Sequence, residues 1–279
     1  MHTAPQRSYL FVPGHQPQRF DKACAAGASV VIIDLEDAVA PIDKEAARRA
    51  IVSWLSAHKS VLIRINAADT EWFQHDLALC RLPGVAGIVL PKAEQVDDIA
   101  RVVNAGAAMV LPLIESATGF ANLLLLAKAP AVQRLIFGSI DFQLDMGIDG
   151  DGEELLYFRS QLVLMSRVAG ILPPVDGVTV ALHDTDQLRL DTMRARRLGF
   201  GAKLCIHPKQ VETVNFYFAP SKDNIMWATT VIAASLRSGG AAVAVNGDMV
   251  DRPVLQRAQA ILAEAASLNN SAESASPKN

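Results

Sequence analysis

The stretch "VLPLIESATGF" (residues 110–120) is an apolar, strand-like run that gives way to a carboxylate, Glu115. A second stretch, "LIFGSIDFQLDMG" (135–147), has the same form and places Asp141 just after its apolar part. An unpaired buried charge is costly, so an acid at the end of a buried strand needs a partner there. The two stretches therefore indicate strands whose carboxyl ends carry chemistry.

Similar short apolar runs recur along the whole chain, with helical spacing of apolar residues between them, as in Lys44–Ser56, Gln95–Asn104, Glu153–Ala169 and Thr185–Leu198. Eight such units in this length predict a (β/α)8 TIM-type barrel, an α/β fold. A doubly wound sheet fits less well, because no GxGxxG follows the first strand. The predicted strands are Tyr9–Val12, Ser29–Leu35, Val61–Ile65, Gly87–Leu90, Met109–Ile114, Leu135–Gly138, Val178–Ala181 and Lys203–Ile206.

The C-terminal part departs from this alternation. The pattern predicts a helix over Asn224–Arg237, a turn-rich segment "SGGAAVAVNGDMVDRP" (238–253) and a further helix over Val254–Ala266. The last residues are polar and low in complexity, which is typical of disorder. We expect a catalytic barrel domain over 1–222, a C-terminal helical or lid extension over 223–266 and a disordered tail over 267–279.

The composition excludes several classes of protein. The 279 residues carry a formal net charge of -3, with pI ≈ 6.1, which lacks the basic excess of a nucleic-acid binder. The sequence opens without a charged-then-apolar leader, and no apolar run approaches the roughly 18 residues of a membrane span. We expect a soluble cytoplasmic protein. Cys24, Cys80 and Cys205 lack metal-ligand spacing and are interpreted as small apolar residues.

Polar side chains follow nearly every predicted strand, where a barrel of this kind has its active site. Arg64 shares a strand face with Leu62 and Asn66, and a lone buried guanidinium is costly, so Arg64 should face the barrel mouth. His183 and His207 fit hydrogen-bonding spacers better than catalytic bases. The strand-end residues are Asp34, Glu36, Asp37, Arg64, Asn66, Lys92, Glu115, Ser139, Asp141, His183, Asp184 and His207.

Acids that converge on one mouth repel each other unless they share a cation. Oxygen ligands of this type suit Mg²⁺ or Mn²⁺, and Mg²⁺ is usually held by one or two carboxylates. Glu115 and Asp141 are the candidate ligands. On spacing alone, a metal site and a set of ion pairs or helix caps explain these two acids equally well.

Eight sequence motifs follow one another along the chain: "RSYLFVPG", "VIIDLEDAV", "LIRINAADTEWFQHDL", "IVLPKAE", "LIESATG", "FGSIDFQLDMG", "GFGAKLCIHPKQV" and "GDMVDRPV". In this order they resemble the citrate lyase β-subunit-like branch of the HpcH/HpaI aldolase family, over roughly Arg7 to Ala263. The resemblance implies a Mg²⁺-dependent barrel, commonly trimeric, that cleaves or forms a carbon–carbon bond in a 3-hydroxyacyl-CoA ester such as citryl-, malyl- or citramalyl-CoA.

The resemblance also implies roles for individual residues. Glu115 and Asp141 would hold the metal, and Arg64 would contact the reacting carbonyl oxygens. Glu36 and Asp37 match positions near the metal and its waters. Asp251 resembles an aspartate that reaches a neighbouring subunit's active site, and it is the candidate acid/base.

Contacts to coenzyme A are less completely matched. "PGHQPQRF" has Gln16 where many relatives carry a basic residue, although Arg19 and Lys22 remain. These two residues and Lys92 are the candidate coenzyme A contacts.

The implied reaction is a retro-Claisen cleavage to acetyl-CoA and a 2-oxo acid, by a homo-oligomer such as a trimer or a dimer of trimers. Three alternatives stay open: a thioesterase acting on the same esters, an aldolase acting on free 2-oxo-4-hydroxy acids, and a lyase subunit that depends on a partner carrying the acyl group.

Overall fold

A computed structural model describes residues 5–237, 243–245 and 248–275. Eight parallel strands form a closed barrel in chain order, and β1 pairs with β8 to close it. The predicted (β/α)8 fold is confirmed. The strands are β1 (Ser8–Pro13), β2 (Val30–Asp34), β3 (Val61–Arg64), β4 (Val85–Leu90), β5 (Val110–Ile114), β6 (Ile136–Phe137), β7 (Val175–Asp176) and β8 (Ala202–Cys205).

Helices follow the strands and cover the barrel. The longer ones bury an apolar face, as α4 does with Ile99 and Val102, which is the pattern expected of amphipathic crossover helices. The helices up to the eighth unit are α1 (Phe20–Cys24), α2 (Lys44–Trp54), α3 (Phe73–Asp76), α4 (Val96–Asn104), α5 (Ala117–Ala121), α6 (Leu123–Ala127), α7 (Ser139–Met146), α8 (Leu156–Ala169), α9 (Thr185–Leu198) and α10 (Lys209–Phe218).

The barrel interior is filled by inward-facing apolar side chains. Because strand side chains alternate with a period of two, Asp34, Arg64 and Glu115 continue the inward-facing rows of β2, β3 and β5 beyond this core. These three side chains therefore meet at the carboxyl-end mouth. The core residues are Tyr9, Ile32, Leu62, Val89, Leu111, Leu113, Ile136, Val175, Ala202 and Leu204.

The position predicted for the seventh strand, Val178–Ala181, is wrong. β7 is Val175–Asp176, and the Val175 N–H donates to the Leu135 carbonyl at 2.9 Å. The chain leaves the sheet at Gly177, where a Cβ atom would overlap Ser139 Oγ. Residues 177–184, whose alternation suggested a strand, form a loop, and Val178 in this loop lines the barrel mouth.

Pro5 and the described residues from Phe216 onward form a second compact unit, and the predicted boundary after residue 222 stays a prediction. Its own core contains Ala228, Val231, Val250 and Ala258. Residues 238–242 and 246–247 of the predicted turn-rich segment lie outside the described residues. Its elements are α11 (Lys222–Arg237), β9 (Val243–Val245), β10 (Asp248–Val250), which pairs antiparallel with β9, and α12 (Arg252–Ala275).

The last helix begins at Arg252 and extends to Ala275, while the sequence predicted a disordered tail from residue 267. Residues 276–279 of that tail lie outside the described part of the chain. Within the described ranges, none of the helices combines the length and the apolar character that a membrane crossing requires.

Candidate active site

A cavity of about 380 Å³ opens at the carboxyl ends of the barrel strands. This is where such barrels carry their active sites, and the size is within the range of small-molecule pockets. The cavity has a charged side and an apolar side. The charged lining residues are Asp34, Asp37, Arg64, Glu115 and Asp141, and the apolar ones include Phe11, Leu113, Phe137, Ile140, Val178, Leu204 and Ile206.

Arg64 is held in place by Asp34. Arg64 Nε donates to Asp34 Oδ1 and Arg64 Nη2 donates to Asp34 Oδ2, both at 2.7 Å. Asp34 also accepts the backbone N–H groups of Glu36 and Ala38, at 2.9 and 3.2 Å. This bidentate pair fixes the plane of the guanidinium, as fork-shaped Arg–carboxylate pairs do. The sequence placed Asp34 at the end of its strand, but it did not reveal this partnership.

Glu36 and Asp37 lie on the other edge of the guanidinium. Arg64 Nη1 is 2.7 Å from Glu36 Oε2 and 3.4 Å from Asp37 Oδ2. The Glu36 contact lacks hydrogen-bond geometry, so this buried oxygen accepts no hydrogen bond from the described residues. Burial raises the pKa of Glu36 to about 7, although Arg64 opposes the shift. Glu36 thus has a pKa suited to proton transfer at neutral pH.

Glu115 is buried at the end of β5, and its contacts orient it. The backbone N–H of Lys92 donates to Glu115 Oε1 at 2.6 Å, from a left-handed conformation with φ of 44°. A Cβ atom on Gly138 would lie 2.7 Å from Glu115 Oε2, so glycine is required beside the carboxylate. Burial raises the pKa of Glu115 to about 8, and the nearby charge of Glu36 adds to the shift.

Asp141 lies in the first turn of α7 and lines the same cavity as Glu115. No group of three or more His, Cys, Asp and Glu side chains suited to a metal occurs among the residues that the structure describes. A buried carboxylate with a raised pKa and a second carboxylate on the same cavity fit a divalent cation that binds oxygen ligands and retains water or substrate oxygens. The donor set fits Mg²⁺ with two protein ligands.

A buried polar network behind the mouth was missed by the sequence analysis. Lys44 Nζ donates to the carbonyls of Leu35 and Glu36, at 2.8 and 2.9 Å, and to Asn66 Oδ1 at 2.5 Å. Asp76 in turn accepts the backbone and side-chain N–H groups of Asn66. The helical spacing of α2 placed Lys44 at a helix start, but only the fold brings it beneath the loop that carries Glu36.

Replacing Lys44 by methionine is expected to destabilise the protein by about 3 kcal/mol, because two buried carbonyls and an amide oxygen lose their donor. It should also lower kcat about tenfold or more, since small displacements of active-site groups are costly. Urea denaturation and initial rates measure both effects. The matched control is Arg49→Met on the exposed face of α2, which should stay within about 0.5 kcal/mol of wild type. Equal losses in the two variants would contradict the role of Lys44.

The raised pKa values of Glu36 and Glu115 predict that the stability of the metal-free protein, measured in EDTA, depends on pH. The unfolded chain releases these protons near pH 4.5, whereas the folded protein holds them to about pH 7 and 8. The folded state therefore loses stability as pH rises through this window. Calorimetry should show that Tm falls by several degrees from pH 5 to pH 8.5, since 1 kcal/mol corresponds to about 2–4 °C. The fall in Tm should be smaller in Glu115→Gln. A Tm that rises over this window would contradict the two shifts.

Of the remaining predicted residues, Ser139 lines the cavity, and the following ones lie apart from it or next to helix starts. Arg19, Lys22 and the Lys92 side chain are exposed and do not line the cavity. His207 Nδ1 accepts the Lys209 N–H at 3.2 Å, next to the start of α10. In the C-terminal unit, Asp251 is exposed, and its Oδ1 accepts the N–H of Val254 at 3.2 Å at the start of α12.

Comparisons with known proteins identify relatives over most of the chain. The family model described as HpcH/HpaI aldolase/citrate lyase matches residues 7–208. A citrate lyase subunit beta-like protein from Deinococcus radiodurans is 33% identical over 93% of this chain and 97% of that protein. A (3S)-malyl-CoA thioesterase from Cereibacter sphaeroides is 34% identical over 94% of this chain and 98% of that protein.

A solved structure is similar over nearly the whole chain. It is the protein CitE from Mycobacterium tuberculosis in complex with magnesium, acetoacetate and coenzyme A, with a TM-score of 0.85 and 34% identity, covering 94% of this chain and 99% of that one. The prediction of an enzyme from a carbon–carbon lyase family is confirmed. Since the family model and these relatives together span more than nine-tenths of the sequence, the chain belongs to the HpcH/HpaI aldolase/citrate lyase family, in its citrate lyase β-subunit-like branch.

Proposed function

We propose that this enzyme is a Mg²⁺-dependent lyase that cleaves a 3-hydroxyacyl-CoA thioester to acetyl-CoA and a 2-oxo acid. The observation that carries the proposal is the pair of carboxylates, Glu115 and Asp141, on one cavity with a guanidinium held rigidly by Asp34. The similar M. tuberculosis structure contains magnesium, acetoacetate and coenzyme A, which are ligands of the kind this reaction needs.

Glu115 and Asp141 would hold the cation. Bound there, Mg²⁺ supplies Lewis acidity and a template that orients the substrate's oxygens. Glu115 is prepared for this role by the Lys92 N–H on one oxygen and by Gly138, whose lack of a side chain leaves room at the other.

The N-terminus of α7 would bind the substrate carboxylate. The backbone N–H groups of the first helical turn lack intrahelical acceptors and lie at the positive end of the helix dipole. Ser139, Ile140 and Asp141, which form this turn, all line the cavity. A carboxylate bound here would lie beside the two metal ligands.

Arg64 would stabilise the charge that develops on the thioester oxygen. When the hydroxyl proton leaves, the electron pair left on oxygen forms the carbonyl of the 2-oxo acid. The C–C bond then breaks, and its bonding pair moves into the thioester enolate. A donor fixed in advance is worth on the order of 3 kcal/mol in such a role. Asp34 holds the guanidinium fixed through two hydrogen bonds.

Proton transfer completes the reaction, because the enolate carbon must be protonated to give acetyl-CoA. Glu36 has a pKa of about 7 and lies against Arg64, so in its ionised form its carboxylate is suited to take the hydroxyl proton and become the neutral carboxyl. Asp251 is the proposed acid that protonates the carbon, a role that rests on its sequence motif. Arg19, Lys22 and Lys92 are the proposed contacts to coenzyme A, and we propose a cytoplasmic homotrimer or dimer of trimers.

A thioesterase is the second candidate, because one relative at 34% identity is named a (3S)-malyl-CoA thioesterase. The same groups could then activate water against the thioester. Mass spectrometry of products formed from citramalyl-, malyl- and citryl-CoA, with Mg²⁺ and with EDTA, separates the two. Acetyl-CoA with a 2-oxo acid is expected. Free coenzyme A with the intact hydroxy acid would replace the lyase by a thioesterase.

A further inference from the structure

The apolar side of the active-site cavity restricts which substrate fits. It lies at the adjacent strands β7 and β8, where Leu204 forms its deep part. Its outer part is formed by Val178, in the loop after β7, and by Ile206, just after β8. The floor of the cavity is also apolar, but Leu113 precedes Glu115 in the inward row of β5, and the Phe11 ring centroid lies 4.8 Å from the Arg64 guanidinium carbon. We call Leu204, Val178 and Ile206 the apolar wall. A substrate group that faces this wall gains by being an alkyl group.

Among the described residues that line the cavity, Arg64 is the only cationic side chain. The charged residues that line it are Asp34, Asp37, Glu115 and Asp141 with Arg64, so with all four carboxylates ionised, as a bound cation favours, the lining has a formal charge of -3. A divalent cation would leave it at -1. Arg64 already pairs with Asp34 through two hydrogen bonds and contacts Asp37 at 3.4 Å.

This charge balance determines how many carboxylates the substrate can carry at its carbinol carbon, the carbon that bears the hydroxyl group. One carboxylate can share the cation and the N-terminus of α7. A second would face either the apolar wall or the acidic side without a partner, and burying an unpaired charge is strongly unfavourable. The remaining substituent at that carbon must therefore be uncharged.

We propose that the preferred substrate carries one carboxylate and one short alkyl group at its carbinol carbon, with the alkyl group against the apolar wall. The product is then a 2-oxo acid with an alkyl side chain. This inference rests on the proposed lyase function and specifies its acyl group: methyl is favoured over hydrogen, and both over carboxymethyl.

Steady-state kinetics with three thioesters test the order. Citramalyl-CoA carries the methyl group, malyl-CoA carries hydrogen and citryl-CoA carries carboxymethyl. We expect kcat/KM for citramalyl-CoA to be about tenfold higher than for malyl-CoA, since one methyl group in an apolar pocket is worth about 10- to 200-fold. We expect it to be more than about 100-fold higher than for citryl-CoA. Comparable kcat/KM for citryl-CoA and citramalyl-CoA would overturn the inference and leave the lyase standing.

A variant tests whether the wall itself sets the order. Ile206→Lys places a cation on the wall at a side chain that is 39% exposed, so it should fold normally. It is expected to lower kcat/KM for citramalyl-CoA and to raise that for citryl-CoA, changing their ratio at least tenfold. The matched control is Ile42→Lys, because Ile42 is 89% exposed and does not line the cavity. An unchanged ratio in a folded Ile206→Lys protein would overturn the role of the wall.

Binding of the 2-oxo acids provides a readout that is independent of turnover. Calorimetric titration in Mg²⁺ should show tighter binding of pyruvate and 2-oxobutyrate than of oxaloacetate, and Ile206→Lys should reduce that difference. If none of the thioesters gives acetyl-CoA, the lyase proposal fails, but this titration still decides on the wall. Oxaloacetate binding as tightly as pyruvate would overturn the inference.

Discussion

Glu115→Gln is expected to lower kcat/KM of the Mg²⁺-dependent reaction by about 1,000-fold or more, because a Lewis-acid cation contributes several kcal/mol and each 1.36 kcal/mol is tenfold in rate. The amide keeps the shape of the side chain and removes its charge. Calorimetric titration with Mg²⁺ should show at least about tenfold weaker binding, which separates loss of the metal from loss of the fold.

The stability of the same variant in EDTA sharpens the test. A buried carboxyl with a raised pKa destabilises the metal-free protein at pH 8.5, so Glu115→Gln should have a higher Tm than wild type there. Asp141→Asn should likewise lose turnover. The control is Glu45→Gln on the exposed surface of α2, which should change nothing. Wild-type activity of Glu115→Gln at limiting Mg²⁺ would disprove the metal site.

Arg64→Lys is expected to lower kcat by about 100- to 1,000-fold, the loss usually found when one fixed donor to a developing oxyanion is removed. Lysine keeps the positive charge but cannot make the two parallel bonds to Asp34, so the donor is no longer fixed. KM should change much less than kcat if the interaction forms mainly in the transition state.

Removing the charge of Arg64 altogether should have a different effect. Arg64→Met leaves Asp34, which is 2% exposed, as a buried carboxylate without its guanidinium, and we expect a loss of about 3–5 kcal/mol of stability. Circular dichroism and urea denaturation distinguish this loss from the catalytic one. The catalytic role would be excluded by an Arg64→Lys protein whose kcat is within threefold of wild type.

Much of the fold was predictable from local patterns, because strands and amphipathic helices have different hydrophobic periods. The barrel and the strand-end acids follow from this alternation. The seventh strand was misplaced, since Val178–Ala181 has the alternation of a strand but lies after Gly177, where close packing on Ser139 turns the chain out of the sheet. Period alone does not report such a contact.

The sequence by itself determined that this chain forms a (β/α)8 barrel and that Glu115, Asp141 and Arg64 come to its mouth. The alternation of side chains along a strand and the succession of strand and helix patterns can both be read along the chain. Only the tertiary structure decided the partners of these groups. The Asp34–Arg64, Lys92–Glu115 and Lys44–Asn66 hydrogen bonds join residues that are 30, 23 and 22 positions apart, and the raised pKa of Glu115 depends on burial. Electrostatic energies depend on distances and burial in three dimensions, which no spacing along the chain records.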